Sequence, residues 1–235
     1  GSVTKVTGET IAETPATNVM DAMQGQVAGL AVYNTTGDAG SINSQSFTIR
    51  GTGSLEAGNT PLIVVDGSPV DASIMGLMNP ADIESITTLK DASATSIYGS
   101  RAANGVIYVT TKKGRRGGEA AVVTIGQRIG WSQLARSIGN PMNSTELLDF
   151  QLENGIISAA DYAMYKSHGS NINWQKYHFR NDAPMYETDF SIRGGSQNTA
   201  YYVSANYLKN TGVDNASFMK RYNVLMRGMI NEVHA

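Results

Sequence analysis

Residues 79–91 read Asn-Pro-Ala-Asp-Ile-Glu-Ser-Ile-Thr-Thr-Leu-Lys-Asp, and the chain continues Ala-Ser-Ala-Thr-Ser-Ile-Tyr-Gly-Ser-Arg-Ala-Ala-Asn-Gly to residue 105. The apolar and β-branched run at 85–89 predicts a strand after a short capped turn. Asp91 is a suitable N-cap for a small helix that ends at Gly99. A second strand is predicted at 105–111. Strands interleaved with short helices indicate an α+β unit.

The residues before this stretch extend the same unit. Apolar side chains recur at helical spacing after Thr14, so we predict one amphipathic helix that ends near Gly29. Residues 47–51 alternate as a strand, and residues 61–65 form a β-branched run that the turn signal Asp66-Gly67 closes. We therefore predict a first domain over residues 3–117.

The second segment, 118–235, has a different pattern. Two capping-box-like sequences predict helices within an insertion at about 143–168. After Trp174 the pattern predicts long strands joined by short turns, at 188–194, 200–209 and 218–230. Tyr and aliphatic residues share one face of these strands, and Ser, Asn and Arg share the other. This alternation over about ten residues suits transmembrane β-barrel strands, although each strand alone carries little signal.

Composition narrows the classes of function. The chain has 235 residues, a formal net charge of −2 and no cysteine. A net charge near zero argues against a protein that mainly coats nucleic acid. Because the chain has no cysteine, disulfides and thiolate metal sites are excluded. Charged residues make up only 16% of the chain, whereas soluble domains average about 25%. This composition suits turn-rich β structure whose polar faces meet another protein surface or confined water.

The motifs of the first domain resemble those of a known family. Ile49-Arg50-Gly51, the run from Pro61 to Gly67, and above all residues 79–107 through to Thr111-Lys112-Lys113-Gly114 resemble the plug domain of SusC/RagA-type TonB-dependent outer-membrane transporters. The strands after Trp174 resemble the first strands of that family's barrel. The resemblance covers nearly the whole chain.

This resemblance implies a nutrient transporter rather than an enzyme. Family members are large outer-membrane β-barrels whose pore the plug fills, with the plug facing the periplasm and the barrel lumen. They import glycans or peptides, usually with a SusD-like surface lipoprotein as a lid and with energy supplied through TonB. No cofactor, metal or nucleic acid is expected.

The same resemblance implies that the chain holds only part of a transporter. The TonB box and the small β-sandwich that precede the plug in many members are not visible before Val3, so we expect this chain alone to be uncoupled from TonB. A plugged barrel takes about 22 strands of roughly ten residues, which is more than the chain provides after Gly117. Its strands would leave unpaired edges and an apolar face toward lipid. We expect them to pair with another copy or to fold back on the plug.

Seven charged residues lie within the plug motifs and are candidates for contacts that hold the plug in the barrel, because a buried charge is tolerated only when it is paired. The alternative is that they serve as local caps and turns, which suits Asp91 and Asp66 better. The seven are Arg50, Asp66, Asp82, Glu84, Lys90, Asp91 and Arg101.

Four aromatic residues cluster just before the predicted strands: Trp174, Tyr177, Phe179 and Tyr186. They suit an interfacial girdle or ordinary packing, and a stacking surface for sugars is the alternative. For substrate contact, the predicted plug loops at 37–45 and 72–78 are equally good candidates.

Two rival functions remain open at this point. The predicted hairpins could form the sandwich of a soluble carbohydrate-binding or adhesion module. An enzyme is not supported, because the chain lacks a Gly-x-Ser-x-Gly elbow and a complete nucleotide-binding loop. The spacing of His168 and His178 does not suit a metal site, and the basic run 112–116 suits a solvated linker.

Overall fold

The computed structural model describes residues 3–14, 16–27, 30–34, 45–49, 60–89, 98–117, 120–134, 139, 141–169 and 171–230. The strands of the first domain are β1 (Val3–Thr7), β2 (Leu30–Asn34), β3 (Gln45–Ile49), β4 (Leu62–Val65), β5 (Ser68–Val70), β6 (Ile83–Leu89) and β7 (Val106–Thr111). Its helices are α1 (Gly8–Glu13), α2 (Val19–Met23) and α3 (Ala72–Leu77), with short 3-10 turns at Pro80–Asp82 and Gly99–Ala102.

A five-stranded mixed sheet with the order β1-β6-β7-β4-β5 forms the centre of this domain. Strands β4 and β7 are parallel, and the other pairs are antiparallel. One face packs against α1, α2 and α3 around the fully buried side chains of Ile11, Met23, Met75, Ile86 and Ile107. The smaller antiparallel pair β2–β3 forms a separate two-stranded sheet.

Helix α1 packs close to the start of β6 because its first residue is glycine. A Cβ atom at Gly8 would lie 1.9 Å from the carbonyl oxygen of Ile83. The preceding Thr7 caps the helix by accepting a hydrogen bond from the backbone N–H of Thr10. The cap and the glycine together place the short helix directly on the sheet.

The second domain contains a four-stranded antiparallel sheet. Its strands are β8 (Val122–Ser132), β9 (Ala183–Gly195), β10 (Thr199–Thr211) and β11 (Phe218–Ile230), in the order β11-β10-β9-β8. The first strand has 11 residues and the others have 13 each. These lengths suit strands that cross a bilayer at a tilt, for which about 9–11 residues are needed.

The two faces of this sheet differ sharply, as the period-two pattern predicts. The outer face, defined here as the one turned away from the first domain, exposes apolar side chains such as Ile125, Val224 and Met226. Toward the end of the sheet where β8 stops and β9 starts, the outer face carries aromatic rings. Tyr207 and Tyr222 are cross-strand partners with ring centroids 5.0 Å apart, and Trp131 and Tyr186 lie near the same end.

An insertion between β8 and β9 contains three helices: α4 (Ser144–Glu153), α5 (Ala159–Ser167) and α6 (Trp174–His178). Asn143 and Glu146 form a capping box at the start of α4, as the sequence predicts. Tyr162 of α5 donates a 2.6 Å hydrogen bond to Asp149 of α4, which holds the two helices together. Neither α4 nor α5 buries a residue fully.

Three predictions of secondary structure were wrong in extent. The predicted helix after Thr14 covers only α2, because the backbone becomes extended at Gln24 and Gly25 then has a positive φ of 76°. The predicted loop 72–78 is mostly helix α3, which Asp71 caps through the Ser73 amide. Strand β9 begins at Ala183 rather than at 188, where it pairs with Ser132 of β8.

The linker after β7 lies against the sheet of the second domain. A Cβ atom at Gly114 would lie 2.2 Å from the Tyr201 amide nitrogen, and one at Gly195 would lie 2.3 Å from the Arg115 carbonyl oxygen. The amide of Gly117 donates to the Ser196 carbonyl at 3.3 Å. The linker therefore lies against the end of the sheet where the β9–β10 turn is.

We expect Gly8→Ala to destabilise the chain by about 1–3 kcal/mol, because the added methyl group must displace the backbone at Ile83. Urea unfolding of the purified chain in detergent micelles measures this loss. Gly228→Ala is the matched control, since a Cβ atom there meets no atom within 4 Å. Equal unfolding midpoints for the two variants would contradict the close packing of α1 on β6.

Candidate functional site

The polar face of the second sheet is the side that contacts the first domain, and we call it the wall face. Its side chains alternate with the outer-face residues along every strand. They include acids, amides, a phenol and arginines, and several are buried. The wall-face residues that bond to the first domain or to one another include Arg128, Glu187, Asp189, Tyr202, Asn206, Arg221, Asn223 and Arg227.

Glu187 is the centre of the most deeply buried group of charges. Arg221 lies 3.3 Å from its Oε1 atom, and each side chain is only 3% exposed. Arg128 approaches the other oxygen, Oε2, at 3.3 Å. Asn206 donates a further hydrogen bond to Oε1 at 3.2 Å. One carboxylate therefore forms ion pairs with two arginines from different strands.

The same two arginines also bind the backbone of the first domain. Arg128 donates to the carbonyl oxygens of Ala12 at 2.9 Å and Ala16 at 3.1 Å. Arg221 donates to the Thr17 carbonyl at 2.6 Å. These carbonyls lie at the end of α1 and in the connection to α2, where helix geometry leaves carbonyls without internal partners. We call this arrangement of Arg128, Glu187 and Arg221 the arginine clamp.

A second contact joins the turn before β6 to the wall face. Asn79 caps the 3-10 turn through the Ala81 amide and donates from Nδ2 to Asp189 at 2.7 Å. Tyr202 donates its hydroxyl to Oδ1 of Asp82 at 2.9 Å. Burial raises the pKa of Asp82, against the opposing effect of this hydrogen bond. The Asn-Pro-Ala-Asp turn is therefore a docking element as well as a local cap.

A third contact uses the β4–β5 turn. Asp66 and Gly67 have φ angles of 50° and 91°, as a two-residue type I′ hairpin requires. The Asp66 carboxylate accepts hydrogen bonds from the amide of Thr111 at 3.0 Å and from its hydroxyl at 2.7 Å. Arg227 of the wall face lies 2.8 Å from the same carboxylate and also donates to the Thr111 hydroxyl.

The environment of Asp66 favours its charged form. Burial alone would raise the pKa of this carboxyl, but the two hydrogen bonds from Thr111 and the neighbouring Arg227 outweigh burial, so the net pKa lies below the ordinary value of 3.8. Asp66 is therefore ionised at neutral pH and can hold Arg227 across the interface.

A fourth contact is the 2.8 Å hydrogen bond from Asn223 to the Leu77 carbonyl.

These contacts hold two surfaces together. Each buried acid has an arginine, amide or hydroxyl partner across the interface or on a neighbouring strand. Within the described residues, no group of three or more His, Asp and Glu residues could hold a metal ion. None of the described helices is long and apolar enough to cross a membrane.

The structure places the seven predicted plug charges differently. Asp66 and Asp82 lie at the interface with the wall face, and Asp66 also forms the predicted turn. Glu84 and Arg101 are exposed. The predictions for Arg50, Lys90 and Asp91 lie outside the described residues.

The four predicted aromatic residues do not form one cluster. Trp174 and Tyr177 meet edge to face in α6 with ring centroids 5.8 Å apart, and both are exposed. Phe179 pairs with Asp214 of the β10–β11 turn. Tyr186 lies apart from them on the outer face of β9.

Sequence reasoning did not assign a role to the arginine clamp or to Asp189 and Tyr202. The alternation placed Arg221, Asn223 and Arg227 on the polar face of β11 and predicted a polar wall against the plug, but it assigned no partner to any of these residues. The missed signal was the charge content of this face, because three arginines and two acids on adjacent strands need partners when a plug covers them.

Comparison with known proteins gives a consistent result for both domains. Residues 1–106 match the family model described as the TonB-dependent receptor plug domain. The chain is 34% identical to the TonB-dependent receptor SusC of Bacteroides thetaiotaomicron over 94% of its own length and 22% of the relative. It is 36% identical to the TonB-dependent receptor P3 of Formosa agariphila over 96% of its length and 21% of that protein.

Solved structures extend the similarity to the sheet of the second domain. The RagAB peptide importer in its closed-closed state superimposes with a TM-score of 0.83 and 37% identity over 100% of this chain. The match covers 29% of the importer chain. The chain thus spans about a fifth of the length of the curated relatives it matches.

We expect Glu187→Gln to weaken the interface by about 3–5 kcal/mol, because it leaves Arg221 buried without its counter-charge. Urea unfolding of the chain in detergent micelles measures the effect. Glu84→Gln is the matched control, because exposed substitutions usually change stability by about 0.5 kcal/mol or less. The double variant Glu187→Gln/Arg221→Met should recover part of the loss, and no recovery would argue against a direct pair.

The ion pair of Asp66 predicts a pH dependence. A carboxyl whose pKa is lowered on folding adds stability above its ordinary value of 3.8, and this stability is lost as the pH falls through the folded pKa. The unfolding free energies of the parent chain and of Asp66→Asn should therefore differ most at neutral pH and converge in acid. A difference that stays constant from pH 7 to pH 2 would show that Asp66 does not act through its charge.

Proposed function

The chain belongs to the SusC/RagA-type TonB-dependent receptors, with their plug domain followed by the first strands of their barrel, and we propose that it serves as the gate of a longer nutrient importer. TonB-dependent receptors are outer-membrane proteins that transport rather than catalyse. In this proposal the plug fills the barrel lumen and blocks it until energy is supplied. The contacts along the wall face hold it there.

The opposite chemistry of the two sheet faces carries this proposal. The wall face is polar and is hydrogen-bonded to the plug, whereas the outer face exposes apolar side chains with aromatic rings toward one end. Barrel strands in a membrane have this arrangement, because their outer face meets lipid and their inner face meets a polar lumen. A soluble sandwich would instead bury its apolar face against a second sheet.

We place the boundary between plug and barrel near Gly117, with the plug at residues 3–117 and the barrel strands after it. The hydrogen bond from Gly117 to the Ser196 turn supports this boundary. The linker would then lie on the periplasmic side, since it meets the short β9–β10 turn. The insertion with α4, α5 and α6 would lie outside the cell, beyond the aromatic rings.

The proposed partners follow from the family. SusC and RagAB support a SusD-like surface lipoprotein as a lid and TonB as the source of energy, and RagAB is named a peptide importer. The cargo of this chain's receptor would be a glycan or a peptide. The rival reading as a soluble carbohydrate-binding module has no support, because β8–β11 form one open sheet whose polar face is covered by a plug.

The gate would work through many contacts of modest strength. Outside the arginine clamp, the contacts of the described plug residues with the wall face include single hydrogen bonds and the partly exposed Asp66–Arg227 pair. Local parts of a structure can open at a lower free energy than the whole. A pull transmitted to the plug could therefore rearrange one part while the rest stays folded.

Uptake by cells that express the full-length receptor tests this proposal. We expect uptake of at least one labelled oligosaccharide or oligopeptide from a mixed panel, and we expect this uptake to disappear in cells that lack TonB. Deletion of residues 3–117 should convert the closed barrel into an open pore with raised conductance in planar bilayers.

Two results would argue against the gate. One is a conductance that stays the same after deletion of residues 3–117. The other is uptake that continues at the same rate without TonB. A receptor with a deletion confined to the α4–α5 hairpin is the control, because that hairpin buries no residue fully and removing it should leave the pore closed.

A further inference from the structure

A cavity of about 390 Å³ lies between the plug and β11. Helix α3 and the β4–β5 turn line it on the plug side, and β11 lines it on the other side. Its surface mixes apolar and polar groups, including Ile74, Leu77, Asp82, Thr111 and Leu225. The cavity is within the usual size range of ligand sites, about 300–1,000 Å³.

Two contacts with the wall face flank this cavity. At one end Asn223 donates to the Leu77 carbonyl at 2.8 Å, and at the other Arg227 pairs with Asp66 at 2.8 Å. The Arg227 and Asp66 side chains are 27% and 20% exposed. By contrast, the Glu187 and Arg221 side chains of the arginine clamp are each 3% exposed. In this chain, where β11 is the edge strand of the sheet, the attachment around the cavity is therefore more accessible to water than the clamp.

The plug segment beside the cavity, residues 68–78, is also weakly attached to its own sheet. Strand β5 is the edge strand and has only three residues, one of them Pro69, which has no N–H to donate. Helix α3 has six residues and is held in the core mainly through the fully buried Met75. Residues 68–78 can therefore shift away from β11 while the central strands β4, β7 and β6 keep their pairing.

We propose that the passage for cargo opens between α3 and β11, by enlargement of this cavity. Separation requires loss of the Asn223–Leu77 hydrogen bond and of the Asp66–Arg227 pair, whereas the arginine clamp and the Asn79–Asp189 contact stay in place. The rest of the plug thus remains anchored while residues 68–78 move. This inference rests on the proposed function as a transport gate and adds the location of the opening.

Cross-linking in the full-length receptor tests the location. Leu77→Cys and Asn223→Cys place two thiols across the gap, and residues 1–235 contain no other cysteine. Any cysteines elsewhere in the receptor are replaced by serine first. A short bis-methanethiosulfonate reagent then joins the two thiols. We expect uptake to fall at least tenfold after cross-linking and to return after reduction with dithiothreitol.

The matched control joins two strands that do not separate in this proposal. Lys209 and Lys220 are cross-strand partners and both are exposed, so Lys209→Cys/Lys220→Cys should keep its uptake after the same treatment. A Leu77–Asn223 cross-link that leaves uptake at the level of this control would overturn the proposal. If the Asn223 variant does not assemble, Ile74→Cys with Leu225→Cys spans the same cavity.

Failure of the proposed function gives a different result from failure of this inference. If the receptor is not a transporter, the parent and the untreated cysteine variants all show no TonB-dependent uptake of any panel member. If the receptor transports but the passage lies elsewhere, the untreated variants take up cargo and the short cross-link has no effect.

Discussion

The charge on Glu187 is the constraint on which the contact between the two domains depends. Its carboxylate pairs with both Arg221 and Arg128, and further N–H groups of these arginines donate to backbone carbonyls of the plug. A buried arginine is tolerated only when its charge is balanced and its hydrogens have acceptors. The barrel strands supply the balancing charge, and the end of α1 supplies carbonyls that its own helix cannot use. Neither domain alone would satisfy this group.

The same arrangement explains why the sheet has two unlike faces. Side chains alternate along a strand, so a face that carries arginines and acids at every second position leaves the other positions free for apolar residues. Along β11, Arg221, Asn223 and Arg227 face the plug while Tyr222, Val224 and Met226 face outward. The polar face gains its partners from the plug, and the apolar face stays exposed in this chain.

Period-two alternation is a local property, and for that reason the sequence predicted the strands and faces of β10 and β11 well. The resemblance of residues 79–107 to a plug likewise predicted the α+β domain. Local patterns did not predict the partners of these faces, because the Arg221–Glu187 pair joins strands and the Thr17 contact joins domains across more than 200 residues. Tyr186 was grouped with Trp174 by its proximity in sequence, yet the start of β9 at Ala183 places it on the outer face. Helix α3 was missed because only six residues form it, and Ser73 and Gly76 are weak helix formers.

Unequal attachment of the plug follows from how the wall face distributes its charges. The clamp holds α1 and the residues after it next to a fully buried ion pair. Releasing that region breaks the hydrogen bonds from Arg128 and Arg221 to the plug backbone. Near Asp66 and Asn223 the contacts are partly hydrated, so water can replace them at a lower free-energy cost. In the proposed gate, a plug attached in this way would be released in order, with the region of β5 and α3 separating from β11 before α1 leaves the clamp. Such an order would let a gate open and reclose without losing the register of its central sheet, because β4, β6 and β7 stay paired throughout.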